Sequence, residues 1–204
     1  MKNKTRNEII ALAIFLILFA VFLSVATNIL TPKRTNYGST WGQFLKEEEK
    51  SIDVMFFGSS ISYCDVIPSV IWDEIGTTPY VMAGPEQTIP FSYYYVKEAL
   101  KTQSPKLVCL EVTGMFFEKY QDFTQVNAGF MPFGANRLEA TFKASEKEQR
   151  TGLLFPLYSY HSRWSSLEGQ DISIGLRGYS ADDLAGYTFI SEATPMEKVT
   201  ERGE

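Results

Sequence analysis

From Ile9 to Leu30 the chain carries no charged residue. As an α-helix rising 1.5 Å per residue, that run reaches about 33 Å, enough to cross a hydrocarbon core of about 30 Å. Lys2, Lys4 and Arg6, offset by Glu8, precede it; Lys33 and Arg34 follow it, and the chain then turns acidic at Glu47, Glu48 and Glu49. The bias of cations toward the N-terminus predicts residues 1–8 on the cytoplasmic side, a single span at 9–30, and an extracytoplasmic remainder attached to the cell membrane. A cleaved signal peptide is the alternative, because Ser24-Val25-Ala26 offers small residues at a cleavage position. Its apolar region is usually ~7–15 residues, shorter than this run, so the uncleaved anchor is preferred. Either way the domain leaves the cytosol.

About 170 residues follow, enough for one domain with a real core and short for two. The net charge is −5 and no Lys/Arg cluster occurs beyond the N-terminus, which argues against a nucleic-acid partner. Cys64 and Cys109 lie far apart with neither metal-type spacing nor the density of a disulfide scaffold. They read as free buried thiols, with a bridge as the alternative. Asp182-Asp183 has no partners at ligand spacing, so neither a metal nor another cofactor is expected.

Residues 31–50 are polar, with Pro32, Gly38 and Gly42, and suggest a juxtamembrane linker running into a short helix around Trp41 to Glu49. The folded domain, 51–204, opens on Ile52-Asp53-Val54-Met55-Phe56-Phe57, a short apolar run closed by Gly58 that suits a buried parallel strand. Pro68 to Ile75 has apolar residues at helical spacing, Pro in the first turn and Gly76 beyond the end. Tyr80 to Ala83 reads as a second strand, Ile89 to Thr102 as a helix stopped before Pro105, and Leu107 to Val112 as a third strand. Strands alternating with helices predict a parallel sheet with helices on its faces. An aromatic-rich stretch follows, then a helix near Arg137 to Arg150 and the run Phe155-Pro156-Leu157-Tyr158; Ser162 to Glu204 shows no strong strand. Three strands make a thin sheet with an exposed edge, as expected of a chain that stops mid-domain.

Ligands of open parallel sheets sit beyond the carboxyl ends of the strands. Gly58-Ser59-Ser60, Gly84 and Glu111-Val112-Thr113-Gly114 therefore share one rim. A Ser at a strand-to-helix turn can expose its hydroxyl there while backbone N–H groups point at a carbonyl oxygen, the layout of an acyl-transfer site. Taken alone, such a turn more often only caps a helix, through Ser59 or Ser60. Glu111 is a polar site residue or a cap on the next turn. The aromatics Phe116, Phe117, Tyr120, Phe123, Phe130 and Phe133 read as core or sheet-edge cover in preference to a sugar or acyl groove.

Residues Asp53 to Ser60, then Ile67-Pro68, Trp72 to Gly76, Ala83-Gly84 and Ser104 to Glu111 resemble the N-terminal half of the SGNH/GDSL hydrolase superfamily. They are most similar to its membrane-anchored bacterial branch, near the D-alanyl-transfer protein DltD and the alginate O-acetylation proteins. The resemblance runs from Ile52 to Trp164, and Phe155 to Trp164 is like that branch's middle segment. It implies an SGNH/flavodoxin-like three-layer α/β sandwich, Ser60 as nucleophile, and an oxyanion hole made of the N–H groups of Ser60 and Gly84. Thr113 and Glu111 become possible substrate contacts.

Two departures from the family pattern stand out. The third block's oxyanion Asn is replaced by Glu111-Val112-Thr113-Gly114, and the Asp-x-x-His that supplies the general base does not occur. A Ser without a base is a poor nucleophile. The only His, His161, lies among Tyr158, Tyr160 and Trp164 and reads as a structural ring first, a substrate contact second and a base last. The expectation is a chain forming the N-terminal part of a longer protein, inactive alone, whose further strands and Asp-x-x-His follow Glu204. The implied protein is a membrane-anchored serine esterase or O-acyltransferase. Its partners would be acylated cell-envelope glycans or polymers and members of an acylation complex. The alternative is a non-catalytic envelope protein that uses the scaffold to bind a glycan or an acylation-complex partner.

Overall fold

A computed structural model describes residues 2–33, 40–117, 121–178 and 184–189. Helix α1 (Lys2–Leu30) begins seven residues before the uncharged run, because the basic start has ordinary helix propensity and nothing there breaks the helix. From Arg6 to Leu30 it is long and apolar enough to span a membrane. From Arg6 to Val25 its side chains are exposed, and Ala26, Thr27, Ile29 and Leu30 are half-buried against the domain.

Five short elements follow α1: α2 (Thr40–Phe44), β1 (Val54–Gly58), α3 (Ser60–Asp65), α4 (Pro68–Ile75) and β2 (Pro79–Ala83). Helix α5 (Ile89–Ala99) then leads to β3 (Leu107–Leu110). The three strands form a parallel sheet of order β2-β1-β3, with Val54 opposite Pro79 on one side and Leu107 on the other. The α/β class and parallel sheet expected from the sequence are present. Asp53, just before the central strand, fixes this register at one end. Its carboxylate accepts the Thr78 N–H at 3.1 Å and pairs with Lys106 Nζ at 2.8 Å, while its carbonyl accepts the Lys106 N–H at 2.7 Å. One residue thus holds the starts of both flanking strands.

Alternation along the strands sends side chains to opposite faces. Met55, Phe57, Tyr80 and Met82 face the larger core with Trp41, Phe44, Phe91 and Tyr95 of α2 and α5. Val81 and Ala83 face a smaller cluster with Tyr63 of α3. The larger core is aromatic: Trp41 meets Phe44 and Tyr95 edge-on at 5.5 and 4.9 Å. Tyr80 Oη donates to Thr40 O at 2.9 Å, which ties α2 to β2. The two sheet edges differ. The Val81 N–H of β2 donates to Ala185 O at 2.8 Å, so residues 184–189 cover that edge. Strand β3 is open, with Leu107, Val108, Leu110 and nearby Val112 all exposed.

The rest is helical: α6 (Gln121–Phe130), α7 (Ala135–Lys143), α8 (Arg150–Leu154), α9 (Pro156–Tyr160) and α10 (Gly169–Arg177). Helix α10 packs on the end of α1, and Arg163 donates to Leu30 O at 2.6 Å while bonding both Asp171 oxygens at 3.2 Å.

Several boundaries differ from expectation. The helix expected around Trp41 to Glu49 ends at Phe44, since Lys50 takes a left-handed backbone and turns intervene. Helix α5 stops at Ala99 and β3 at Leu110, each shorter than its apolar run. The helix expected over Arg137 to Arg150 is two helices, because the Ser145 hydroxyl bonds back to Thr141 O and Glu146 is extended, forming a capping box with Gln149 that starts the next turn. Helix α6 occupies the stretch that showed no clear pattern.

The Lys106 bond and then the Thr78 N–H hold the Asp53 carboxyl below the usual carboxylate range. Its contribution is therefore complete above the unfolded value of about 3.9 and disappears as pH falls through the lower folded value. Acid unfolding of Asp53→Asn, followed by circular dichroism, is expected to depend less steeply on pH below about 4 than the parent. A parent-like acid limb would contradict the clamp.

Candidate functional site

Strand β1 ends at Gly58 and α3 begins at Ser60, which leaves Ser59 as the extended residue between them. Ser59 is the helix cap: its Oγ accepts the Ile61 N–H at 3.4 Å. Its own O–H and N–H both donate to Glu111 Oε2, at 2.6 and 2.7 Å. The other carboxylate oxygen, Oε1, accepts the Thr113 N–H at 2.6 Å and the Thr113 hydroxyl. Four donors from two loops converge on one carboxylate, which fastens the turn after β1 to the turn after β3. Charge-assisted bonds of this kind are the stronger ones.

The close approach explains Gly58. A Cβ there would stand 2.5 Å from Glu111 Cβ and 2.7 Å from its Oε2. Glu111 thus accepts the N–H of its own following turn and bridges to Ser59.

Ser60 is the first residue of α3, half-buried, and its hydroxyl takes no hydrogen bond from any described residue. The two serines are therefore distinct: Ser59 is buried and saturated, Ser60 is presented. Gly84 follows β2 on the same rim, but its N–H donates to Gly58 O at 3.2 Å, extending the ladder. For that N–H to receive an oxyanion, this bond would have to open.

Sequence reasoning missed the group packed over Gly84. A Cβ at Gly84 would lie 2.1 Å from Asn127 Oδ1 and 3.0 Å from Gln87 Oε1, both buried oxygens without a hydrogen-bond partner among the described residues. Asn127 donates to Pro85 O at 3.0 Å and comes from α6; Gln87 Nε2 bonds Ser92 Oγ at 3.0 Å. Two amide side chains thus flank the rim glycine where the sequence showed no Asn. No local signal joins residue 127 to residue 84; the pairing exists only once α6 is packed.

His161 stands elsewhere. It is exposed, its Nδ1 lies 3.0 Å from Tyr158 O, and its segment packs on α1 and α9. The ring is hydrogen-bonded as expected of a structural His, though not packed. Of the aromatics, Phe116 and Phe133 are exposed, Phe130 packs against the core, Phe117 and Phe123 are half-buried, and Tyr120 lies outside the described residues. Cys64 and Cys109 are free and half-buried, which corrects the expectation of full burial: both lie on the side of the sheet with the thinner cover. Burial and the neighbouring Asp65 push the Cys64 thiol up. Asp182 and Asp183 also lie outside the described residues. Among the described residues no cluster of His, Cys, Asp and Glu could hold a metal.

Replacing Glu111 by Gln keeps the shape but substitutes an NH2 for an oxygen that accepts two donors. The loss expected in urea denaturation is about 1.5–3 kcal/mol, the worth of hydrogen bonds to a charged group. A change under about 0.5 kcal/mol would show that the carboxylate does not hold the two turns together.

Comparison with protein-family models, curated proteins and solved structures returned no match for this chain.

Proposed function

We propose that the chain carries the serine of a membrane-anchored SGNH-type serine esterase or O-acyltransferase that acts on acyl esters of cell-envelope glycans or polymers. The observation that carries this reading is the Ser60 hydroxyl just past the central strand, without a partner among the described residues and beside a neighbour locked by Glu111. In the proposed chemistry Ser60 Oγ attacks the acyl carbonyl, its proton passes to a base, and the alcohol departs to leave an acyl-serine. Water or a second hydroxyl then takes the acyl group. The Ser60 N–H is the first candidate donor to the oxyanion, with Gly84 available once its bond to Gly58 opens. The base belongs to the Asp-x-x-His block, which this sequence lacks; His161, on the α1 side, is not assigned that task. The membrane helix supports an envelope substrate, and the proposed orientation puts the N-terminus inside.

A second reading is supported by the engaged Gly84 N–H and the absent base: a non-catalytic envelope protein that binds a glycan or a partner of an acylation complex through the same rim.

A fluorophosphonate serine probe separates the two. The full reading frame that contains this sequence is expected to label at Ser60, and Ser60→Ala to abolish labelling, while the 204-residue chain alone labels far more slowly. Labelling at another Ser, or none in the full reading frame, overturns the enzymatic reading and leaves the binding one.

A further inference from the structure

A hollow lies away from the rim. A cavity of about 410 Å³ lies where α1 enters the domain, walled by Thr27, Asn28 and Thr31 at the helix end, by Phe130 and Arg137, and by Ile174 to Leu176 of α10. Lys33 completes the wall. Gly175 is seated so close to Ile29 that a Cβ there would lie 2.9 Å from the Ile29 Cα, and this contact sets the two helices side by side along the cavity.

The lining is cationic. Arg137 donates to the carbonyls of Gly129, Met131 and Leu153 at 3.1, 2.9 and 3.4 Å, and its Nε is buried with no partner among the described residues. Lys33 donates to Asn28 O. Neither forms an ion pair with a described carboxylate; the nearby Asp171 is bonded by Arg163. Burial, opposed by Asp171, pulls the Lys33 ammonium down from its usual range, and burial does the same to Arg137. Withdrawing cations from water is costly, the nearby Asp171 is already bonded by Arg163, and a bound anion would offset the cost.

The position says what kind of anion. The cavity opens at the level where a membrane-length apolar helix ends, and Phe155, Tyr158, Trp164 and Leu176 stand exposed in the same α8–α10 collar. Aromatic and apolar side chains beside basic groups suit the interface between hydrocarbon and headgroups.

We propose that this cavity is a phosphate site for the headgroup of an anionic membrane lipid, with Lys33 and Arg137 as its charges and the exposed collar resting in the interface. The inference depends on the membrane-anchor part of the proposed function and not on Ser60.

The test uses the full 204-residue chain, expressed in a membrane, washed with alkaline carbonate, and reconstituted into nanodiscs of phosphatidylglycerol mixed with phosphatidylcholine. Lipid retained by the protein after detergent exchange is expected to be enriched in phosphatidylglycerol about fivefold or more. Lys33→Gln should remove most of that enrichment, whereas Lys4→Gln, at the far end of α1, should not. Because Arg137 also holds three carbonyls, Lys33→Gln is the primary variant and must melt like the parent. Inorganic phosphate titrated into the chain in non-ionic detergent forms a separate arm. Saturation by phosphate at micromolar concentrations with no lipid preference would overturn the lipid assignment in favour of free phosphate. No preference and no phosphate binding, or a preference unchanged in Lys33→Gln, would overturn the site. Release of the chain by carbonate would refute the anchor itself, a failure distinguishable from either of these.

Discussion

The carboxylate of Glu111 is the point on which the rim depends. Parallel strands carry no hairpin to bring their ends together, so the loops that follow β1 and β3 need another tie. Glu111 supplies it by accepting two donors from Ser59 and two from Thr113. The consequences spread outward from there. Residue 58 must be Gly to admit the carboxylate, Ser59 is fixed as the cap of α3, and Ser60 is carried to the first helical position, its hydroxyl unclaimed by any described residue.

The opposite end of the sheet uses the same device. Asp53 takes the Thr78 N–H and the Lys106 ammonium, so a carboxylate holds the strand starts as another holds the strand ends. Between them the central strand is buried on both faces, and the side with α2 and α5 carries most of the aromatic mass. Protection is uneven at the margins: the 184–189 segment covers β2, whereas β3 presents apolar side chains to solvent. At the far side of the molecule, Arg163 fastens the last carbonyl of α1 to Asp171. The membrane-length helix is thereby joined to the domain by specific contacts.

Much of this was legible in the sequence where Pro and Gly punctuate apolar runs. Pro68 and Gly76 bound α4 where expected, and the three strands lie within their apolar runs or extend them by a single residue. The charge-free run from Ile9 announced α1. The middle of the chain was harder to read because its determinants are polar and non-local. Helix α6 turns Thr124, Asn127 and Ala128 inward, a pattern that no hydrophobic period reports. The break between α7 and α8 rests on hydroxyl and capping bonds of Ser145 and Glu146. At the site, the rim glycine, Ser59-Ser60 and Glu111 were visible from strand ends. What escaped was Asn127 over Gly84, a contact made across 43 residues of sequence, and the division of labour between two adjacent serines.

The central claim is that one carboxylate locks the turn that presents Ser60, and amide hydrogen exchange resolved to single residues measures it most directly. The Ser59 and Thr113 amides, both bonded to Glu111, are expected to exchange slowly in the parent chain and to become fast together in Glu111→Ala while the β1 amides stay protected. Fast exchange at both amides in the parent, or no coupled change in the variant, would contradict the account.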